Sequence, residues 1–237
     1  MLVVKKMPKS ISAEAYRILR TKLKYSGVDT DIKTIVITAA EASEGKSTIS
    51  GNLAATLSDN GSRVVIVDCD LRKPSMHKRF NVTNSNGLTD YLVGEKEFRD
   101  VVKVIDESLH FISAGEIPPN PAEIIGSRKL ENFLKLLKLN YDYVIIDTPP
   151  IMAVTDSRIL AAKADATLMV VRSGKTKANV IHRAYEELIK VGANVIGSII
   201  NDLDTDRKDT YYYYYEEEEK KKFSLGLFKR KRKKRRR

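Results

Sequence analysis

The apolar positions of this chain gather into short unbroken runs, and between the runs lie stretches with helical spacing. The first run, Thr34-Ile35-Val36-Ile37-Thr38, is followed by a small, polar loop and then by residues 47–57 with apolar residues on a helical period, which predicts strand, loop, helix. Val64-Val65-Ile66-Val67 ends in Asp68, and Tyr143-Val144-Ile145-Ile146 ends in Asp147. Residues 166–171 and 195–200 give two more runs. Strands that are apolar on both faces belong to a parallel sheet covered by helices. Helical stretches at residues 129–139 and 179–191 supply that cover, the second with Ile181, Ala184, Leu188 and Val191 on one stripe. The alternation predicts an α/β fold with a doubly wound, mostly parallel sheet.

Two segments stand outside the alternation and divide the chain into three expected parts. Residues 1–30 hold a helix-like stretch at 12–25, residues 31–203 form the α/β domain, and residues 204–237 form a tail. The tail contains five consecutive tyrosines, four glutamates, three lysines, the apolar piece Phe223-Ser224-Leu225-Gly226-Leu227-Phe228 and nine consecutive basic residues. Such a composition cannot bury enough apolar surface to offset ordering, so disorder is expected there.

Composition narrows the function. With 237 residues, 42% of them hydrophobic, the chain supports one sizeable core. The net charge of +11 suggests a polyanionic partner, but residues 216–237 hold 12 Lys or Arg against 4 Glu, leaving the remainder nearly neutral. No stretch approaches the roughly 20 apolar residues of a spanning helix, and the first residues lack the apolar core of a signal peptide. The one cysteine, Cys69, permits no internal disulfide and has no Cys or His pair at metal-ligand spacing. A cytoplasmic protein without structural zinc is expected.

The segment Ala40-Glu41-Ala42-Ser43-Glu44-Gly45-Lys46-Ser47-Thr48 has the spacing of a phosphate loop, with alanine in the first glycine position. A tight turn between strand and helix aims consecutive backbone N–H groups at phosphate oxygens, and the helix dipole adds positive potential. Ser43, Glu44, Gly45, Lys46, Ser47 and Thr48 are therefore candidate nucleotide contacts. Lys46, read as a surface-loop residue with little core packing, would reach the β and γ phosphates, and Ser47 could ligate Mg²⁺. Asp68 and Asp70 follow the second run, and Asp147 follows the third. Strand ends are where ligands bind in such sheets, so these carboxylates are candidates for metal coordination and for a base or positioning group. The bland alternative is that each caps a helix or holds a loop.

Taken together, these residues resemble the bacterial tyrosine kinases that partner membrane polysaccharide co-polymerases. The likeness also rests on Glu14-x-x-Arg17-x-x-Arg20, Asp68-x-Asp70-x-Arg72-Lys73-Pro74, Pro118-Pro119-Asn120-Pro121, Asp147-Thr148-Pro149-Pro150, Val154-Thr155-Asp156 and the terminal tyrosines. It implies a P-loop enzyme using ATP and Mg²⁺, with Lys46 on phosphate, Ser47, Asp70 and Asp147 around the metal, and Asp68 as the base for the tyrosine hydroxyl. Lys46 and Asp70 would share the catalytic work. Asn201 matches a position near the adenine, although an Asn opening a turn explains it equally. Glu14, Arg17 and Arg20 match a motif used to assemble ring-shaped homo-oligomers; an exposed helix with an i, i+3 ion pair is the plainer account. Tyr211, Tyr212, Tyr213, Tyr214 and Tyr215 would be autophosphorylated in trans. The implied partners are a transmembrane co-polymerase modulator, a protein-tyrosine phosphatase and protein substrates in capsular or exopolysaccharide synthesis, with recruitment to the inner face of the plasma membrane. The family usually has proline and glycine where this chain has Ala42 and Ser43, and the nine terminal basic residues lie beyond its pattern.

The leading rival is a partition or division-site ATPase, a membrane- or nucleoid-bound switch of the same fold class. Those relatives carry a signature lysine five residues before the loop lysine, and here that position is Glu41. A nucleic-acid module would rest on the basic tail alone, which has no aromatics interleaved for base stacking. The apolar hexamer followed by basic residues reads as an anionic membrane-surface anchor, with a solvated charge run that merely aids solubility as the equal alternative. Each phosphotyrosine adds about −1.5 to −2 charges, so the tyrosine run could double as an electrostatic switch on that anchor.

Overall fold

The computed structural model describes residues 2–26 and 31–203. The tail, with its expected disorder, its tyrosines and its basic run, lies outside the described residues.

The chain opens with helices α1 (Val3–Lys6) and α2 (Ile11–Ser26), and then enters strand β1 (Thr34–Ala39), helix α3 (Lys46–Ser58) and strand β2 (Val64–Asp68). Short helices α4 (Met76–Phe80), α5 (Leu88–Val93) and α6 (Phe98–Val101) lead to a hairpin of β3 (Lys103–Asp106) and β4 (Leu109–Ile112). Helices α7 (Pro121–Gly126) and α8 (Arg128–Asn140) precede β5 (Tyr143–Asp147), and α9 (Asp156–Lys163) precedes β6 (Ala166–Arg172). Helix α10 (Ala178–Lys190) and strand β7 (Val195–Asn201) complete the described fold.

The seven strands form one sheet in the order β3-β4-β2-β5-β1-β6-β7, parallel throughout except for the antiparallel β3–β4 pair. All five expected strands are present. Every residue of β1 and β2 is buried, as unbroken apolar runs require. Alternate residues of these strands enter two cores. Val36, Val65 and Ile146 face α5, α8, α9 and α10, while Ile35, Ile66 and Ile145 face α1, α2 and α3. Strand order reverses around β1, with β5 and β2 to one side and β6 and β7 to the other. This is the switch point at which a doubly wound sheet opens a crevice at its strand ends.

Candidate active site

The crevice at the end of β1 is a cleft of about 630 Å³ lined by the 42–48 loop, the 70–79 segment and Pro149 to Val154. Two left-handed residues shape the loop. Gly45 has φ 100° and caps α3, and Ser43 has φ 62°. A left-handed residue with a Cβ costs on the order of 1–2 kcal/mol, and Ser43 bears that cost. The turn leads into α3, where Thr48 N and Ile49 N donate to the Gly45 carbonyl at 3.0 and 2.9 Å and the amides before them have no partner within the helix.

The loop is tethered from the β6–β7 side. The Asn201 side-chain amide donates to the Glu44 carbonyl at 2.9 Å, and a Cβ on Gly45 would lie 2.1 Å from that amide nitrogen, so glycine is required for space as well as for φ. Thr176 Oγ1 donates to Glu44 Oε1 at 2.7 Å, which turns this buried carboxylate away from the cleft. Arg172 pairs with Asp202 at 2.8 Å and donates to the Ser43 carbonyl at 3.4 Å. Glu44 is thus a tether through its side chain, a role invisible in the motif.

On the other side stand the acidic strand ends. Asp68 and Asp147 are direct neighbours in the β2–β5 register. Asp147 is 2% exposed and accepts hydrogen bonds from Ser47 Oγ at 2.6 Å and Ser50 Oγ at 2.8 Å. The following turn is pinned to the loop's entry, since Ile151 N donates to the Ala39 carbonyl at 2.9 Å. Asp68, 1% exposed, accepts from the backbone N–H groups of Asp70 at 3.1 Å and Met76 at 3.2 Å, and so folds the 70–76 segment over itself. Asp70 is only half-buried and lines the cleft.

Lys46 is 8% exposed, which corrects its reading as a surface-loop side chain: as the first residue of α3 it turns inward against the sheet. Burial lowers its pKa, and the carboxylates of Asp147, Asp70 and Glu44 oppose that shift. Burial likewise pushes the Asp68 carboxyl up to about 8, with Asp147 beside it adding to the rise. Asp147 is also raised by burial, against the pull of the Ser47 and Ser50 hydroxyls and the Lys46 ammonium. Lys46 is the one buried cation among these carboxylates, which leaves the inner end of the cleft short of positive charge. A hydroxyl and carboxylates are the hard oxygen donors that Mg²⁺ takes, and nucleotide enzymes typically hold that ion by one or two carboxylates plus substrate phosphate. Among the described residues no group of three His, Cys, Asp or Glu side chains forms a ready cage. Ser47, Asp70 and Asp147 therefore fit an ion that arrives with its nucleotide.

Arg72 and Asp156, which stand in separate motifs of the sequence, meet in the fold. The guanidinium meets the fully buried Asp156 carboxylate in two hydrogen bonds, Nε to Oδ2 at 2.9 Å and Nη2 to Oδ1 at 3.1 Å. This fork fastens the 70–79 wall to the start of α9. Their separate motifs, 84 residues apart, gave no signal that they meet. On α2, Arg17 pairs with Glu14 at 2.7 Å, whereas Arg20 turns toward the Thr56 carbonyl at 3.4 Å.

Fold, loop and strand-end carboxylates define a P-loop nucleotide-binding protein. Residues 32–194 match the AAA domain family. The chain is 38% identical over 205 residues to "Tyrosine-protein kinase YwqD" of Bacillus subtilis, covering 86% of each. It is 34% identical over 211 residues to "Putative tyrosine-protein kinase CapB" of Staphylococcus aureus, covering 89% of this chain and 92% of that one. Among solved structures, the kinase domain of the Escherichia coli tyrosine kinase ETK superposes with TM-score 0.84 at 31% identity, over 89% of this chain and 83% of that domain. The chain belongs to the bacterial tyrosine-protein kinases and is an enzyme of that class. The septum site-determining protein MinD of Pyrococcus horikoshii, at 23% identity and TM-score 0.61, shares the fold alone.

Proposed function

We propose that the protein transfers the γ-phosphoryl group of ATP to tyrosines, its own Tyr211 to Tyr215 among them, and that it does so between copies to regulate capsular or exopolysaccharide synthesis and export. The observation that carries this reading is the placement of the Lys46 loop directly against Asp147 and Asp70, with a buried Asp68 beside them.

Lys46 and the loop amides bind the phosphates, and Ser47, Asp70 and Asp147 hold Mg²⁺, which supplies further neutralisation of phosphate charge when bound. Asn201, touching Gly45, stands on the side of the loop where the nucleoside lies. In the transfer step the tyrosine oxygen forms a bond to the γ-phosphorus, the bond to the ADP oxygen breaks, and the phenolic proton passes to Asp68. Burial suits Asp68 to that role, because a base works best with a pKa near the operating pH. With little covalent chemistry to perform, the site acts mainly by alignment and charge stabilisation.

Among the described residues no helix is long and apolar enough to cross a membrane. A membrane co-polymerase suits the role of activator, with a phosphatase resetting the tail. Purified full-length protein incubated with ATP and Mg²⁺, with and without membrane extract, is expected to gain phosphotyrosine at residues 211–215, as mapped by mass spectrometry. Phosphotyrosine absent under both conditions, or confined to other positions, would refute the reading.

The outer face of α2 fits the proposed assembly surface. It leaves Ile11, Ile18 and Tyr25 exposed at seven-residue spacing beside the Glu14–Arg17 pair. Replacing Glu14, Arg17 and Arg20 together by Ala is expected to turn an oligomer into a monomer and to slow transfer in trans severalfold. Light scattering with ATP and activator present decides; a wild-type protein that is monomeric there rules out the interface.

A further inference from the structure

The cleft has two unlike walls. Sheet order puts β7, with Asn201, on one side of the β1 loop, and β5 and β2, with Asp147 and Asp68, on the other. Because Asn201 lies against Gly45, the far wall is the segment that follows β2, from Asp70 to Arg79. An acceptor hydroxyl that loses its proton to Asp68 has to enter past this wall.

The far wall carries three basic side chains, Arg72, Lys73 and Arg79, against the single carboxylate of Asp70. Arg72 is committed to the buried Asp156. Lys73 and Arg79 have no acidic partner among the described residues, although many other cations of the fold are paired, Lys5, Arg63, Lys138 and Lys163 among them. In the proposed function the loop amides and Lys46 meet the phosphates, and neither Lys73 nor Arg79 belongs to that loop. Two unpaired cations at the entrance to a phosphoryl-transfer site make a receptor for an acidic peptide.

The chain itself contains a peptide of that kind, for Tyr211 to Tyr215 run directly into Glu216 to Glu219. Four extended residues span about 13 Å, which lets a tyrosine occupy the transfer position while its following glutamates lie along a wall of the same cleft. We propose that Lys73 and Arg79 select the acceptor, favouring tyrosines followed on the C-terminal side by acidic residues. This rests on the kinase reading and adds to it the class of protein substrate, namely tyrosine next to an acidic run.

Two full-length chains separate recognition from transfer. The enzyme chain carries Tyr211 to Tyr215 replaced by Phe, so it cannot accept, and the acceptor chain carries Lys46→Met, so it cannot transfer. Replacing Glu216 to Glu219 of the acceptor by Ala is expected to raise its KM about tenfold with little change in kcat, and replacing them by Lys to raise it further. An enzyme with Lys73→Glu and Arg79→Glu should reverse the order, preferring the lysine acceptor. That rescue also demonstrates that the doubly reversed enzyme is folded and active. Equal KM values for all three acceptors with the enzyme chain that keeps Lys73 and Arg79 would overturn the proposal. So would a reversed enzyme that loses all acceptors equally, which would reassign the two cations to nucleotide. Transfer to none of the acceptors by the enzyme chain that keeps Lys73 and Arg79 would instead refute trans phosphorylation itself, and acceptor selection with it.

Discussion

Replacing Lys46 by methionine is expected to abolish tyrosine phosphorylation, by at least about 10²–10³-fold in kcat, while the protein stays folded. The magnitude is that of removing one preorganised donor from a transition state whose charge develops on phosphate oxygens. Folding survives for a reason peculiar to this site. Lys46 is buried, and its removal leaves Asp147 without its cation, which ordinarily would be destabilising. The Asp147 carboxyl already has a raised pKa, so a proton replaces the lost ammonium. Circular dichroism should therefore match the wild type at neutral pH, and a difference should grow as pH rises. A Lys46→Met protein that still gains phosphotyrosine at the wild-type rate would remove the loop from the chemistry.

Asp68→Asn should lower kcat by about 10²–10⁴-fold while nucleotide affinity changes little, because a base interacts with the acceptor proton mainly in the transition state. Its two hydrogen bonds to the backbone of Asp70 and Met76 mean that the 70–76 segment covers the carboxyl, and the acceptor must displace that cover. A parallel loss of nucleotide affinity would make Asp68 an organiser of the metal and phosphate site instead. The pH dependence of stability gives an independent reading. The Asp68 carboxyl rises from an ordinary 3.8 to about 8 in the folded state, so between those values the unfolded chain has released a proton that the folded chain retains. Stability of the metal-free protein therefore falls as pH rises through that window, by up to ~1.4 kcal/mol per pH unit, and levels off above it. Asp68→Asn should flatten that slope in denaturant titrations made in the presence of a chelator.

Much of the fold could be read from the chain because parallel strands buried on both faces need no alternation and so announce themselves as solid apolar runs. β1, β2, β5, β6 and β7 all did. The β3–β4 hairpin was not foreseen, since β3 is an edge strand whose residues alternate between half-buried and exposed, and it contributes little apolar signal. The helices α4 to α7 were missed for a related reason. At four to six residues each, they complete too few turns for a period to show. In the site, the loop and its acidic neighbours were legible because the chemistry fixes residue types next to strand ends. The tethers were not. Thr176, Arg172 and the Arg72–Asp156 fork act across long sequence separations with residues of ordinary type, and only the tertiary arrangement gives them meaning.

The bond from Asn201 to the Glu44 carbonyl joins positions 157 residues apart. During synthesis the loop and its helix leave the ribosome early, yet they lack their final brace until the last strand has been made and docked beside β6. Long-range contacts of this kind form late, after the loop-closure entropy has been overcome. The phosphate loop thus acquires its full set of contacts only when the whole domain is complete. A nascent chain that has not reached residue 201 therefore lacks this brace on its phosphate loop.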